Sequence, residues 1–286
     1  MRDGPAVRES SRVLRCGRYT LDLSRPLIMG VVNVTPDSFS DGGRFFGRDA
    51  AIGHARRLIA EGADIVDIGG ESSRPGAAPV AADEELARVL PVFEALREEP
   101  VPLSVDTSKT EVMRGALAAG AAMINDIGAL AAPGALEAAA ASDCAVCLMH
   151  MQGEPRTMQR SPTYVDVVRE VKDFLSARVA AAERAGITRD RVVIDPGFGF
   201  GKTPANNLEL LRRLGDFTGM KVPVLAGWSR KSSLGAITGR AEGDRLPASI
   251  AAALIAVQNG ARIVRVHDVA ATRDALAVLS AVAGNA

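Results

Sequence analysis

Asp195–Thr203, DPGFGFGKT, sets a carboxylate at the foot of a glycine-rich loop and flanks it with Phe198 and Phe200. A carboxylate acceptor beneath an aromatic wall suits a flat heterocycle whose edge carries N–H donors. A nucleotide-binding loop needs four residues between its first glycine and the GK pair, and Gly197 to Gly201 leaves three, so that reading is rejected. Three further segments carry cations. Ile68–Gly76, IGGESSRPG, holds Ser73 and Arg74 ahead of a rigid Pro75. The donor fork of an arginine matches a planar carboxylate or phosphate. Ala226–Ser233, AGWSRKSS, offers Ser229, Arg230 and Lys231. Arg265 and His267 are two residues apart, so on a strand they share one face and both can donate to an anion.

The segments that must position these side chains repeat one grammar: a short apolar run ending in a polar residue, then a helical stretch. Leu27–Gly43, LIMGVVNVTPDSFSDGG, runs apolar to Asn33 and continues into a loop with Asp37 and Asp41. The pattern returns at Ile65–Gly69, Pro102–Val105 before Asp106, Ala122–Ile124 before Asn125, Cys144–Met149 before His150, Val192–Ile194 before Asp195, Val222–Ala226 before Ser229, and Arg262–Val266 before His267. Short apolar runs bounded by turn residues read as buried strands. Helices are expected at 50–61, 84–97, 109–119, 134–141, 164–185, 206–214, 248–259 and 270–281. Gly62, Gly120, Gly186 and Gly260 stand where helix C-caps belong. Strand–helix alternation predicts a parallel sheet, and eight units predict closure into a (β/α)8 TIM barrel, with a doubly wound open sheet as the runner-up. Residues 27–286 would form this single α/β domain. Residues 1–26 would be an extension in which Val13–Leu23 forms a hairpin against the barrel bottom.

In such a barrel the C-terminal strand ends converge on one face. Asn33, Asp106, Asn125, Asp195, Arg265 and His267 all occupy that position. Taken singly, an Asp or Asn there is often only the N-cap of the next helix, as in Asp106-Thr107-Ser108. Six convergent polar ends argue for a site.

The 286 residues exceed the roughly 250 of a typical barrel by little. The formal charge is zero, which gives no electrostatic case for nucleic acid or an anionic membrane. No apolar run nears the ~20 residues of a membrane span, and the N-terminus has no signal-peptide core. Three cysteines give no disulfide framework; Cys144 and Cys147 face opposite sides of a strand and read as core residues rather than a metal pair. A soluble, cytoplasmic protein is expected.

The ordered set NVTPDSFSDGG, ESSRPG, SVDTSK, INDI, LMHMQG, DPGFGFGK, SRKS and RVHDV, from Leu27 to about Ala270, resembles the dihydropteroate synthase family of pterin-binding barrels. The resemblance implies condensation of p-aminobenzoate with 6-hydroxymethyl-7,8-dihydropterin diphosphate, releasing pyrophosphate, with Mg²⁺. It implies that Asp106, Asn125, Met149, Asp195, Phe200, Lys231 and Arg265 bind the pterin. Asn33, Arg74, Arg265 and His267 would meet the diphosphate, with the metal near Asn33. Phe39, Ser73, Arg74, Pro75 and Ser229, with Lys231, would hold the aminobenzoate. Asn33, Asp41, Arg74, Lys231, Arg265 and His267 would carry catalysis. Ser73 stands where the family usually has threonine, which implies a slightly roomier aminobenzoate site and altered competition by sulfonamides. A homodimer through the outer helices is expected by the same resemblance. The rival readings are a pterin-binding methyltransferase domain and a non-catalytic pterin-binding relative.

Overall fold

The computed structural model describes residues 13–34, 43–72, 78–154 and 157–284. Eight parallel strands form one sheet: β3 (Leu27–Asn33), β4 (Ile65–Gly69), β5 (Leu103–Asp106), β6 (Met123–Asp126), β7 (Ala145–Met149), β8 (Val192–Asp195), β9 (Leu225–Ala226) and β10 (Ile263–Val266). Their order runs β8-β7-β6-β5-β4-β3-β10-β9. The remaining seam between β8 and β9 is bridged at Ile194 and Val224, where the Ile194 amide donates to the Pro223 carbonyl at 3.0 Å. The sheet is therefore a barrel.

Helices α1 (Gly43–Glu61), α2 (Ala82–Leu96), α3 (Thr110–Ala118), α4 (Ala135–Ala140), α5 (Val167–Arg184), α6 (Pro204–Arg212), α7 (Ser232–Thr238), α8 (Leu246–Gln258) and α9 (Val269–Val282) follow the strands. Their apolar stripes make the outer core. In α5 the buried residues are Val167, Val168, Val171, Leu175, Val179 and Ala182, a spacing that keeps one helical face on the sheet. Asp166 caps this helix by accepting from the Val168 and Arg169 amides. The four glycines expected at helix ends all have positive φ, from +96° to +110°, which a side chain would strain.

Inward-facing residues alternate with these along each strand. The lower half of the interior is apolar: Leu27, Met29, Ile65, Met123, Ala145, Cys147, Val193, Leu225 and Ile263. Strands β1 (Val13–Cys16) and β2 (Tyr19–Asp22) pair antiparallel and send Leu14 and Cys16 into the same cluster, joined by Leu23. The expected hairpin thus stoppers the lower end. Cys144 belongs to the outer core and Cys147 to the inner one, so the two thiols do face apart.

Three details depart from expectation. Helix α1 begins at Gly43, well before residue 50 where the sequence pattern starts it. β9 keeps only two ladder residues of the longer run 222–226, because Pro223 has no amide to donate. Helix α7 is an addition: at 7 residues, about two turns, behind the SRK motif, it is too brief for a periodic signal.

Candidate active site

Above the apolar floor the interior turns polar. Asp67, Ser104, Asp106, Asn125, Asp195 and Arg265 come from five strands, β4, β5, β6, β8 and β10, each at an inward position of its strand. Strand register sets the level: Asn33 pairs with Gly69, Gly69 with Asp106, and Asp106 with Asn125. Arg265 ties the layer together. Its Nε donates to Asp67 Oδ2 at 2.6 Å and its Nη2 to Asp106 Oδ2 at 2.7 Å. Asn125 Nδ2 donates to the same Asp67 oxygen at 3.0 Å. A side chain at Gly227 would sit 3.6 Å from both Arg265 Cβ and Asp195 Oδ2, so the glycine leaves those two groups as close neighbours.

Burial and charge oppose each other here. Burial pushes the Asp106 carboxyl up to about 7, with Arg265 pulling the other way. Burial also raises Asp195, against the nearby Lys231 ammonium and the Gly197 amide, which donates to Asp195 Oδ1 at 2.7 Å. Burial brings Lys231 down to about 7, opposed first by Asp195. For Arg265 burial works against the charge, but Asp67 and Asp106 more than offset it and hold the guanidinium above its usual range.

The glycine-rich loop after β8 forms one wall. Gly197, Gly199 and Gly201 all have positive φ. A Cβ on Gly197 would lie 1.9 Å from the His150 carbonyl oxygen, and one on Gly201 2.3 Å from that of Gln152. Only glycines allow the loop to press on the backbone after β7 this closely. Phe200 thereby joins Met149 and Met158 in a small apolar cluster, flanked by Ile127 and Met151. Lys231 Nζ sits 4.2 Å above the Phe200 ring and donates to the Phe198 carbonyl. Behind the wall Phe198 stacks on Trp228, with centroids 5.1 Å apart, and the indole donates to Ser233 Oγ at 2.6 Å.

The third part lies across β9 and β10. Ser229 Oγ is 3.0 Å from His267 Nδ1. Arg230, with φ +57°, turns away from the interior and pairs with Asp268 through Nε at 3.0 Å and Nη2 at 2.5 Å. Its amide donates to Ser249 Oγ at 2.9 Å. The kink leaves Ser229 and Lys231 on the site side of the loop. The base of the loop after β4 is also framed: Lys109 Nζ reaches Glu71 and Glu85, each at 2.5 Å, and Glu71 accepts the Val80 amide at 3.0 Å.

The structure therefore brings together Asp106, Asn125, Asp195, Lys231 and Arg265, with Met149 and Phe200 lining one side and Ser229 with His267 nearby. Asn33 ends its strand level with this layer. Phe39, Asp41, Ser73, Arg74 and Pro75 lie outside the described residues.

Comparison with known proteins points the same way. The pterin binding enzyme family matches residues 29–267. The dihydropteroate synthase of Escherichia coli (strain K12) is 51% identical over 263 residues, covering 92% of this chain and 93% of its own. The structure of Xanthomonas albilineans dihydropteroate synthase with 4-aminobenzoic acid superposes with a TM-score of 0.90 at 55% identity, over 95% of this chain and 98% of that one. The same enzyme in complex with 7,8-dihydropteroate gives 0.87 at 53% identity, over 95% and 98%. The chain belongs to the dihydropteroate synthase family.

For a dihydropteroate synthase, the residues absent from the sequence-level expectation are as informative as those present. Asp67 was missed because it lies inside the apolar run Ile65–Gly69 rather than at its end, yet it is fully buried and holds Arg265 and Asn125. A charged residue in the middle of a buried strand was the available signal, since an unpaired one would be costly. Lys202 and His150 carry no individual signal in the sequence beyond their motifs; they meet beneath the glycine loop, with Lys202 Nζ 3.0 Å from His150 Nδ1.

Proposed function

We propose that this chain condenses 6-hydroxymethyl-7,8-dihydropterin diphosphate with p-aminobenzoate, giving 7,8-dihydropteroate and pyrophosphate. The observation that carries the reading is the Asp67–Arg265–Asp106 bridge set among Asn125, Asp195 and Lys231. It presents carboxylate and amide acceptors to a donor-edged ring, and a fixed cation to an anion, at the same end of one barrel.

Asp106, Asn125 and Asp195 would accept from the pterin amino and ring N–H groups, with Met149 and Phe200 against its faces. Lys231 and Arg265 would contact the ring from above the floor. Asn33, Arg74, Arg265 and His267 would hold the diphosphate. Fixed donors aimed at a leaving group stabilise the charge it gains, and they do so most in a site with little water. The electron-rich dihydropterin can share the cation left at its exocyclic carbon, so departure of pyrophosphate precedes attack. The aniline nitrogen then needs no obligatory general base. Phe39, Ser73, Arg74, Pro75 and Ser229 would place the aminobenzoate, and Asp41 would complete the catalytic set. A sulfonamide would compete for that place.

The donor set fits magnesium held largely through substrate. Among the described residues no three His, Cys, Asp or Glu side chains gather as a metal cage. Mg²⁺ prefers oxygen ligands and keeps several waters, so the amide oxygen of Asn33 together with diphosphate oxygens makes a suitable shell. When bound, the metal would supply positive charge to the departing pyrophosphate.

A homodimer is part of this proposal, supported by Val278 and Val282, which are 66% and 83% exposed on the last helix, and by Ile255 on α8. Cytoplasmic residence is proposed as well; among the described residues no helix is long and apolar enough to cross a membrane. The deciding experiment mixes protein, the pterin diphosphate, p-aminobenzoate and Mg²⁺ and measures pyrophosphate. Release that p-aminobenzoate accelerates and that is matched by 7,8-dihydropteroate supports the reading. No release in the complete mixture, or release that p-aminobenzoate neither speeds nor diverts into 7,8-dihydropteroate, overturns it.

A further inference from the structure

Lys202 is only 2% exposed, and no carboxylate lies within hydrogen-bonding distance of its ammonium among the described residues. Instead it donates to the Phe200 carbonyl at 2.9 Å and approaches the His150 carbonyl at 3.3 Å and His150 Nδ1 at 3.0 Å. A lysine buried without an ion pair weakens a fold unless every donor is used, and three donors here meet three acceptors. Its place in the molecule explains the arrangement. The glycine loop lies directly on the backbone after β7, and those two segments share no strand ladder; Lys202 reaches back beneath the loop and joins their carbonyls. Lys231 grips the same loop from the opposite side through Phe198. Two lysines thus hold alternate carbonyls of one loop, and both lie close enough to act electrostatically on the Asp195 carboxylate.

We propose that Lys202 is a positioning residue for pterin binding: it fixes the Phe200 wall by clamping the glycine loop to His150. It touches no substrate. Burial brings its ammonium down to about 7, and in the charged form it favours ionised Asp195, the acceptor that the pterin reading requires. This inference rests on the pterin reading of the site.

The test compares wild type, Lys202→Met and Lys202→Gln. Lys202→Met keeps length and volume but removes both donors and charge, leaving the buried Phe200 and His150 carbonyls without this partner. Lys202→Met is therefore expected to melt below wild type, so the pterin KM and not the melting temperature carries the test. Its KM for the pterin diphosphate should rise about tenfold, with kcat at saturation reduced less than threefold. Lys202→Gln keeps two donors and should fall between. A purely structural role would lower the melting temperature and leave the pterin KM alone. A folded Lys202→Met enzyme with a pterin KM within twofold of wild type overturns the proposal. Should Lys202→Met not fold, Lys202→Gln decides: a folded protein with a pterin KM raised at least threefold supports the role, while an unchanged KM or a second failure to fold overturns it. Wild-type protein that releases no pyrophosphate would instead sink the functional reading itself, independently of the variants.

Discussion

Arg265 Nε and Asp67 Oδ2 lie 2.6 Å apart, joining a cation from the last barrel strand to a carboxylate with no solvent exposure on the second. The two residues are separated by 198 positions in the chain. Asp67 thus orients Arg265 from below, and Asp106 receives its other arm at 2.7 Å.

Breaking this pair should cost stability as well as activity. Arg265→Met leaves Asp67 buried without its cation, a change of about 3–5 kcal/mol. Asp67→Asn removes the uncompensated charge, so the double variant should unfold at higher urea than Arg265→Met alone, a coupling readable by equilibrium denaturation. Pyrophosphate release by Arg265→Met should drop at least about 100-fold, the scale seen when a charge-stabilising donor is removed. Near-wild-type turnover with unchanged pterin affinity would show that Arg265 does not stabilise the leaving group.

Acid sensitivity should trace in part to His150. Burial, followed by the adjacent Lys202 charge, brings its imidazole down to about 3 from the ordinary value of 6.5. The unfolded chain therefore takes up this proton while the folded chain resists it. The contribution is fully present above the unfolded value near 6.5 and is lost as pH falls toward 3, at about 1.4 kcal/mol per pH unit between them. Urea midpoints measured from pH 7 to pH 4.5 should fall more steeply for wild type than for His150→Asn. Parallel curves would show that His150 is not the proton acceptor.

Chelation should separate activity from folding. On the proposed arrangement, in which Asn33 and substrate oxygens would hold the metal, EDTA is expected to abolish pyrophosphate release and leave the melting temperature of the free protein unchanged. Added Mg²⁺ should restore turnover. A drop of several degrees on chelation would instead indicate a resident structural ion.

Much of the barrel was legible because its strands are buried on both faces and end in polar residues. β4 was expected at Ile65–Gly69 and is observed there. Most other boundaries moved by a residue or two, as ladder pairing rather than hydrophobicity decides where a strand stops. The polar strand ends Asp106, Asn125, Asp195, Arg265 and His267 were legible for the same reason. Asp67 was not, because its role depends on a partner at the far end of the chain. Lys202 was not, because nothing in a glycine-rich stretch tells which way the following lysine turns; the close approach of Gly197 to the His150 carbonyl decides that, and it exists only in three dimensions.

The chain contains a single tryptophan, and that indole is stacked on Phe198 at the back of the glycine loop. It is 5% exposed, shielded from bulk solvent, and packed with Phe198 in the outer core. Nature has in effect fitted the molecule with its own lamp. Excited at the red edge, where the two tyrosines absorb little, this indole would report on the loop it backs with no label attached.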